Sequence, residues 1–307
     1  MGGHTRRDLL RTALAGAAGV ALGARGRLTF AQGSLPPNTL RLADDLFLVQ
    51  LPGEANVVAQ TGDGSVLLVD GCSAAASAAL MKTVAALPGG GPVTTLVNTH
   101  WHPEQTGSNE TVGQAGKTII AQENTRLWLT TDVTWPWNGR TFTRLPKVAQ
   151  PNKTFYTTGQ IDADVRYGYI PDAAHTDGDL YVHFAKPNVL AVGDTVSGQG
   201  WPVVDWTSGG WIGGIVGGLQ RLQTIANAET KIVPGRGPVL AFTDLKAQYE
   251  MYGTIHDRLT QLLNKGHSPS EAVEAKPTKE FDAQMGNGDE FVRRAFESLW
   301  AYLSPDA

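Results

Sequence analysis

Residues 93–98, Val-Thr-Thr-Leu-Val-Asn, form a short β-branched and apolar run that leads almost directly into His100-Trp101-His102-Pro103-Glu104-Gln105. Such a run reads as a buried strand. Two histidines one residue apart at a strand end can turn both imidazoles towards one cation, and imidazole suits zinc, iron and copper. Any fold this chain adopts must therefore deliver a rigid strand end to a polar site.

Four further segments repeat the design. Asp70 follows the apolar run 65–69, and His175 stands in the turn Ala-His-Thr-Asp-Gly-Asp at 174–179. Asp194 lies just beyond the apolar run 189–193, and Arg236 sits in a glycine-rich turn after residues 231–233. Taken singly, a strand-end aspartate caps a turn and a lone histidine satisfies a backbone carbonyl. The order and spacing of the five segments together point to one constellation of polar groups at strand ends.

The pattern between them predicts strands at 40–51, 55–61 and 65–70, a helix at 74–87 and a strand at 93–98. A helix over 104–113, a strand at 117–121 and a helix at 123–131 follow. Residues 132–160 show little periodicity and read as a long loop, a length usually kept for function or disorder. Strands return at 165–170, 179–184 and 189–192, then a glycine-containing helix at 213–226 and a short strand at 231–233. Helices fill 243–265, 268–273 and 289–303. Their apolar positions, such as Tyr249, Tyr252, Leu259, Leu262 and Leu263, suit a cover for the sheet or a homodimer contact.

Residues 1–31 have the features of an export signal. Arg6-Arg7 precedes a short Ala/Gly/Leu/Val run and then small residues, the arrangement of a twin-arginine leader rather than a membrane span. Cleavage near residue 31 predicts a periplasmic or secreted protein with no stable membrane span. It removes five arginines and one aspartate, so a net charge of −4 becomes −8. An acidic domain is a poor partner for nucleic acid, and a small-molecule substrate is expected instead. Cys72, the single cysteine, can form no internal disulfide and reads as a small buried residue.

With these motifs in place, residues 40–240 resemble the metallo-β-lactamase superfamily. Its pattern is a strand-end Asp, then His-x-His-x-Asp-His, a His, an Asp and a final Gly-His-Gly turn. The resemblance implies an α/β fold, an αββα sandwich of two central sheets flanked by helices, with the site along one edge. It implies a catalytic domain at 32–240 and a helical C-terminal extension at 241–307 packed on it. His100, His102 and His175 match the three-histidine metal site, and Asp194 matches the residue that bridges to a second metal. The second site departs from the pattern: Glu104 stands for Asp, Gln105 for His and Arg236 for the last His. Gln is a weak neutral ligand and Arg stays protonated, so a second divalent ion is not expected.

The resemblance then implies a hydrolase with one Zn²⁺ per chain that activates water against an ester, lactone, thioester or β-lactam. Arg236 would clamp an anionic group of the substrate. Glu104 would serve either as general base, as a ligand or as the ion-pair partner of Arg236. Two alternatives stay open. One is a mononuclear iron oxidoreductase similar to persulfide dioxygenases, with His100, His175 and Asp194 around the iron. The other is a periplasmic binding module whose metal site has decayed. Trp128, Trp135, Trp137, Trp201, Trp206 and Trp211 flank these motifs, either as a rim for a bulky substrate or as packing for the loops.

Overall fold

The computed structural model describes residues 35–303, which form one compact unit. The expected export signal lies outside the described residues. Strands β1 (Thr39–Arg41), β2 (Leu46–Val49), β3 (Val57–Gly62) and β4 (Ser65–Val69) run antiparallel in sequence order. Strands β5 (Val93–Val97), β6 (Thr118–Gln122) and β9 (Lys153–Phe155) then add in parallel, completing a seven-stranded sheet. The second sheet holds β10 (Thr158–Gln160), β11 (Val165–Tyr169), β12 (Leu180–Phe184), β13 (Val189–Gly193) and β14 (Lys231–Pro234). Between the two sheets in the chain lies a separate hairpin, β7 (Val133–Thr134) with β8 (Thr141–Phe142).

Alternation along the strands builds the layers, because successive side chains on a strand point to opposite faces. On β2, Leu46 and Leu48 enter the core between the sheets, together with Val182, Phe184 and Val189 of the second sheet. Phe47 and Val49 of the same strand face outward, against Leu80 and Val84 of helix α1 (Ser77–Ala85) and Val112 of α3 (Asn109–Gln114). The outer face of the second sheet is covered by α5 (Ile212–Gln223), α6 (Phe242–Asn264) and α9 (Asp289–Leu303). The order is helix, sheet, sheet, helix: the expected αββα sandwich. No helix among the described residues is long and apolar enough to cross a membrane.

Three local expectations are corrected. The single strand at 40–51 is a hairpin, because residues 42–45 turn back and β1 pairs with β2. The helix at 104–113 is two short helices, α2 (Pro103–Thr106) and α3, separated by Gly107 and Ser108. Ser108 is buried and gives its hydroxyl to the Gly71 carbonyl, so the chain is held there by a tertiary contact. The long loop at 132–160 contains the β7–β8 hairpin and the strands β9 and β10. These are two or three residues long and have no alternation for a pattern to reveal. Helices α4 (Glu123–Leu129), α7 (Pro269–Glu274) and α8 (Asp282–Met285) complete the α-helices of the described residues.

Candidate metal centre

Strand β5 and the start of α2 deliver His100 and His102, the turn before β12 delivers His175, and the end of β13 delivers Asp194. One ligand atom from each of the four lies within 4.8 Å of every other. The three imidazoles are buried, and each pair meets edge to face with centroids 4.7 to 4.8 Å apart. Glu104 is not among the four groups that converge.

Each ring is aimed by the partner of its far nitrogen. His175 Nδ1 donates to the Val203 carbonyl, which leaves Nε2 as a lone pair. His102 Nε2 donates to Asp205 Oδ2 at 3.0 Å, which leaves Nδ1 as a lone pair. Thr99 gives its hydroxyl to Asp70 Oδ2 at 2.8 Å and accepts from His100 Nδ1 at 3.1 Å, so His100 presents Nε2. His175 Nε2 and His102 Nδ1 then face each other 3.1 Å apart, and His100 Nε2 is buried with no hydrogen-bond partner among the described residues. Three lone pairs turned on one another repel unless a cation stands among them. Burial, then the neighbouring His102, His175 and Arg236, hold His100 well below its ordinary pKa of 6.5, which keeps it neutral and able to ligate. The donor set and its tautomers fit a metal ion.

The supports are themselves tightly held. Asp205 also accepts from Thr207 Oγ1, Ser208 Oγ and the Ser208 amide. Burial alone would raise its pKa, but these bonds and His102 outweigh it and hold the carboxyl below its usual range. Asp179 accepts from the backbone amides of His175 and Thr176 and from Thr176 Oγ1, pinning the turn that carries His175. Burial pushes Asp70 up to about 8, against two hydrogen bonds from Thr99, and a cation among the imidazoles acts to lower it. Gly193 has a φ of +53° and a Cβ there would stand 2.5 Å from Thr99 Oγ1, so the chain passes this network only as glycine.

Asp194 Oδ2 lies 3.8 Å from His100 Nε2, 3.9 Å from His175 Nε2 and 3.4 Å from the Gln105 amide nitrogen. Its other oxygen rests on Gly235, where an added Cβ would sit 1.9 Å away. The turn that carries Arg236 is clamped by Asn56, whose Nδ2 donates to the carbonyls of Pro234 and Gly237. Arg236 Nη1 reaches the Gly53 carbonyl at 3.4 Å, and no carboxylate pairs with it among the described residues. Together with Asp194, Trp201, Pro202 and Val203, Arg236 lines a cleft of about 160 Å³.

Glu104 is therefore placed differently from the sequence expectation. Its partner is Arg140 of the β7–β8 hairpin, at 3.2 Å, and not Arg236. Adjacent residues on the helical turn α2 point about 100° apart, and only Gln105, fully buried, meets Asp194. The tryptophans divide by role. Trp135 is buried against His102, with centroids 5.2 Å apart, and Trp137 stacks on Trp135. Trp201 stacks on Phe291 of α9, Trp206 donates to Glu297 and Trp211 stacks on Tyr302, so these three bind the loop after Asp194 to the last helix. Cys72 is buried and its thiol is pushed up to about 12 by burial, consistent with an inert core residue. Asp205, Val203 and Arg140 escaped sequence reasoning. The only local signal was the Asp-x-x-Ser spacing at 205–208, which marks a turn cap.

A buried three-histidine cluster with a carboxylate, set at the strand ends of an αββα sandwich, is a site that could hold a metal ion. The chain belongs to the metallo-beta-lactamase superfamily, whose family model matches residues 51–251. Solved structures of similar fold include the DIM-1 metallo-beta-lactamase, at 17% identity and TM-score 0.56, covering 70% of this chain and 96% of that one. A metallo-beta-lactamase from Pontibacter korlensis gives 18% and 0.54, covering 70% and 98%. The stereoselective inverting sec-alkylsulfatase Pisa1 from Pseudomonas sp. gives 12% and 0.66, covering 88% of this chain and 50% of that one. Identities this low establish likeness of fold. Comparison with curated proteins gave no match.

Proposed function

We propose that the chain is a hydrolase with one zinc ion, held by His100 Nε2, His102 Nδ1 and His175 Nε2, that cleaves an ester, lactone, thioester or β-lactam bearing an anionic group. The observation that carries this reading is the enforced direction of the three imidazole lone pairs. Zinc held by three histidines with an open position supplies an ionisable water near neutral pH and polarises a carbonyl. The chain's own residues supply the rest. Asp194 stands beside two of the imidazole nitrogens, placed to take a proton from the attacking water. Arg236, free of any carboxylate partner among the described residues, binds the anionic group of the substrate at the polar end of the cleft. Trp201, Pro202 and Val203 contact its apolar part. Glu104 acts structurally, as the partner of Arg140, rather than as a base or ligand.

A sulfate ester belongs in the same screen, because a guanidinium recognises sulfate as well as carboxylate. The similarity to Pisa1 supports its inclusion, since that likeness spans 88% of the chain. We further propose that residues 1–31 are a twin-arginine signal, that the mature protein is periplasmic or secreted, and that residues 241–307 extend the catalytic domain at 32–240. Elemental analysis of the purified mature protein tests the central reading. One zinc per chain with hydrolysis of a substrate in the panel is expected. One iron with oxygen uptake, or no metal after zinc is supplied, overturns it in favour of an oxygenase or a binding module. Substitution of Arg6 and Arg7 by Lys should abolish export of a fused reporter if the leader is read correctly.

A further inference from the structure

Gln105 occupies the position where the family's second metal site has a histidine, and its side chain is fully buried. Its Nε2 donates to Asp194 Oδ2 at 3.4 Å. This fixes the orientation of the amide, because the opposite flip would set the carbonyl oxygen against a carboxylate. The remaining atom, Oε1, is buried with no hydrogen-bond partner among the described residues. Leaving such an oxygen unsatisfied costs the full desolvation of the group, so a buried amide of this kind calls for a donor. Two buried atoms without partners thus stand near Asp194 Oδ2: His100 Nε2, 3.8 Å from it, and Gln105 Oε1, on the amide that touches it. The first has the chemistry of a metal ligand. The second accepts a hydrogen and, as a neutral amide, holds a cation poorly.

We propose that Gln105 is the second acceptor for the attacking water, which directs one hydrogen to Asp194 and the other to Gln105 Oε1. Both hydrogens are then held, and the oxygen lone pairs are left free for the metal and the substrate carbon. The second cation of the family's pattern is replaced here by an amide that orients the nucleophile and steadies the carboxylate receiving its proton. This inference rests on the hydrolase reading above for its chemistry, while its geometry can be tested without turnover.

The test is a crystal structure of the zinc-loaded full-length mature protein, paired with the near-isosteric variant Gln105→Met. In the wild type, a water within about 3.2 Å of both Gln105 Oε1 and an Asp194 oxygen is expected. In Gln105→Met that water should be lost or displaced, while zinc content stays at the wild-type value. With an active substrate, kcat should fall about tenfold or more with KM little changed. Gln105→Asn, which keeps an amide but shortens its reach, serves as a second variant and should lose the same water. A zinc ion ligated by Gln105 Oε1, loss of zinc from Gln105→Met, or an unmoved water in both variants would each overturn the proposal. If the water is held as described but no substrate in the panel is hydrolysed, the hydrolase reading fails and the role of Gln105 in binding water stands.

Discussion

Asp205 lies in a loop, far in sequence from the histidine it holds, and decides which nitrogen His102 turns to the site. Partners of this kind typically change metal affinity by about 10–100-fold, so Asp205→Ala should weaken zinc binding by that amount in competition with a chelating dye. Asp205→Asn keeps an acceptor and should lie closer to the wild type. At Arg236 the expectation is a gain: Arg236→His restores a ligand type and should raise affinity for a second divalent ion. An unchanged metal stoichiometry would show that the turn does not face the site. The histidines also set a pH dependence. His100 stays neutral in the folded protein to well below 6.5, whereas in the unfolded chain it takes up a proton near that value. The unfolded state then binds more protons below 6.5, so metal-free protein loses stability as pH falls through that point. Thermal midpoints of the stripped protein across pH 5 to 8 measure this, and His100→Gln should flatten the slope. At this scale the sequence was most legible, because the motif residues lie next to strand ends. Asp205 and Val203 were not, because their contacts cross 103 and 28 residues of chain.

The β7–β8 hairpin is the element whose purpose the sequence concealed. Its strands are two residues each, and its stability comes from Trp135, Phe142 and Trp101 packing against one another beside His102. Trp135→Ala should therefore cost about 3 kcal/mol or more in denaturant unfolding, the range for emptying a buried tryptophan site. The Glu104–Arg140 pair joins the same hairpin to α2 but is partly exposed. Glu104→Ala should cost less than about 1 kcal/mol and leave zinc content unchanged. Equal losses in the two variants would show that the ion pair holds the hairpin as firmly as the indole does. The strands β3 to β6 and β11 to β14 were readable from short apolar, β-branched runs bounded by turn residues. Short strands such as β9 and β10 exist because a neighbouring strand offers them a ladder, which composition does not record.

For the whole molecule, the two-sheet sandwich followed from the order of strand and helix patterns, and the site from the strand ends on one edge. The position of the C-terminal helices did not. Their apolar stripes suited a sheet cover or a dimer contact equally, and the structure lays α6 and α9 over the second sheet, with Tyr252, Phe291 and Phe296 fully buried. Truncation before Asp289 would strip Phe291, Val292, Phe296 and Leu299 from that core. The expected outcome is insoluble or unfolded protein, judged by circular dichroism and gel filtration. A metal at the three-histidine site would contribute at the same scale, since an ion that binds only the folded state stabilises it by mass action. Removing it with a chelator should lower Tm, and added zinc should restore it.

Trp201 and Trp206 flank Val203 and Asp205, and both indoles are anchored on α9. The last helix is therefore linked through two indoles to the loop that carries Val203 and Asp205, the partners of His175 and His102. A movement of the loop on metal loading or substrate entry has to be shared with that helix or absorbed at those rings. Trp201 and Trp206 fluorescence should therefore report such a movement.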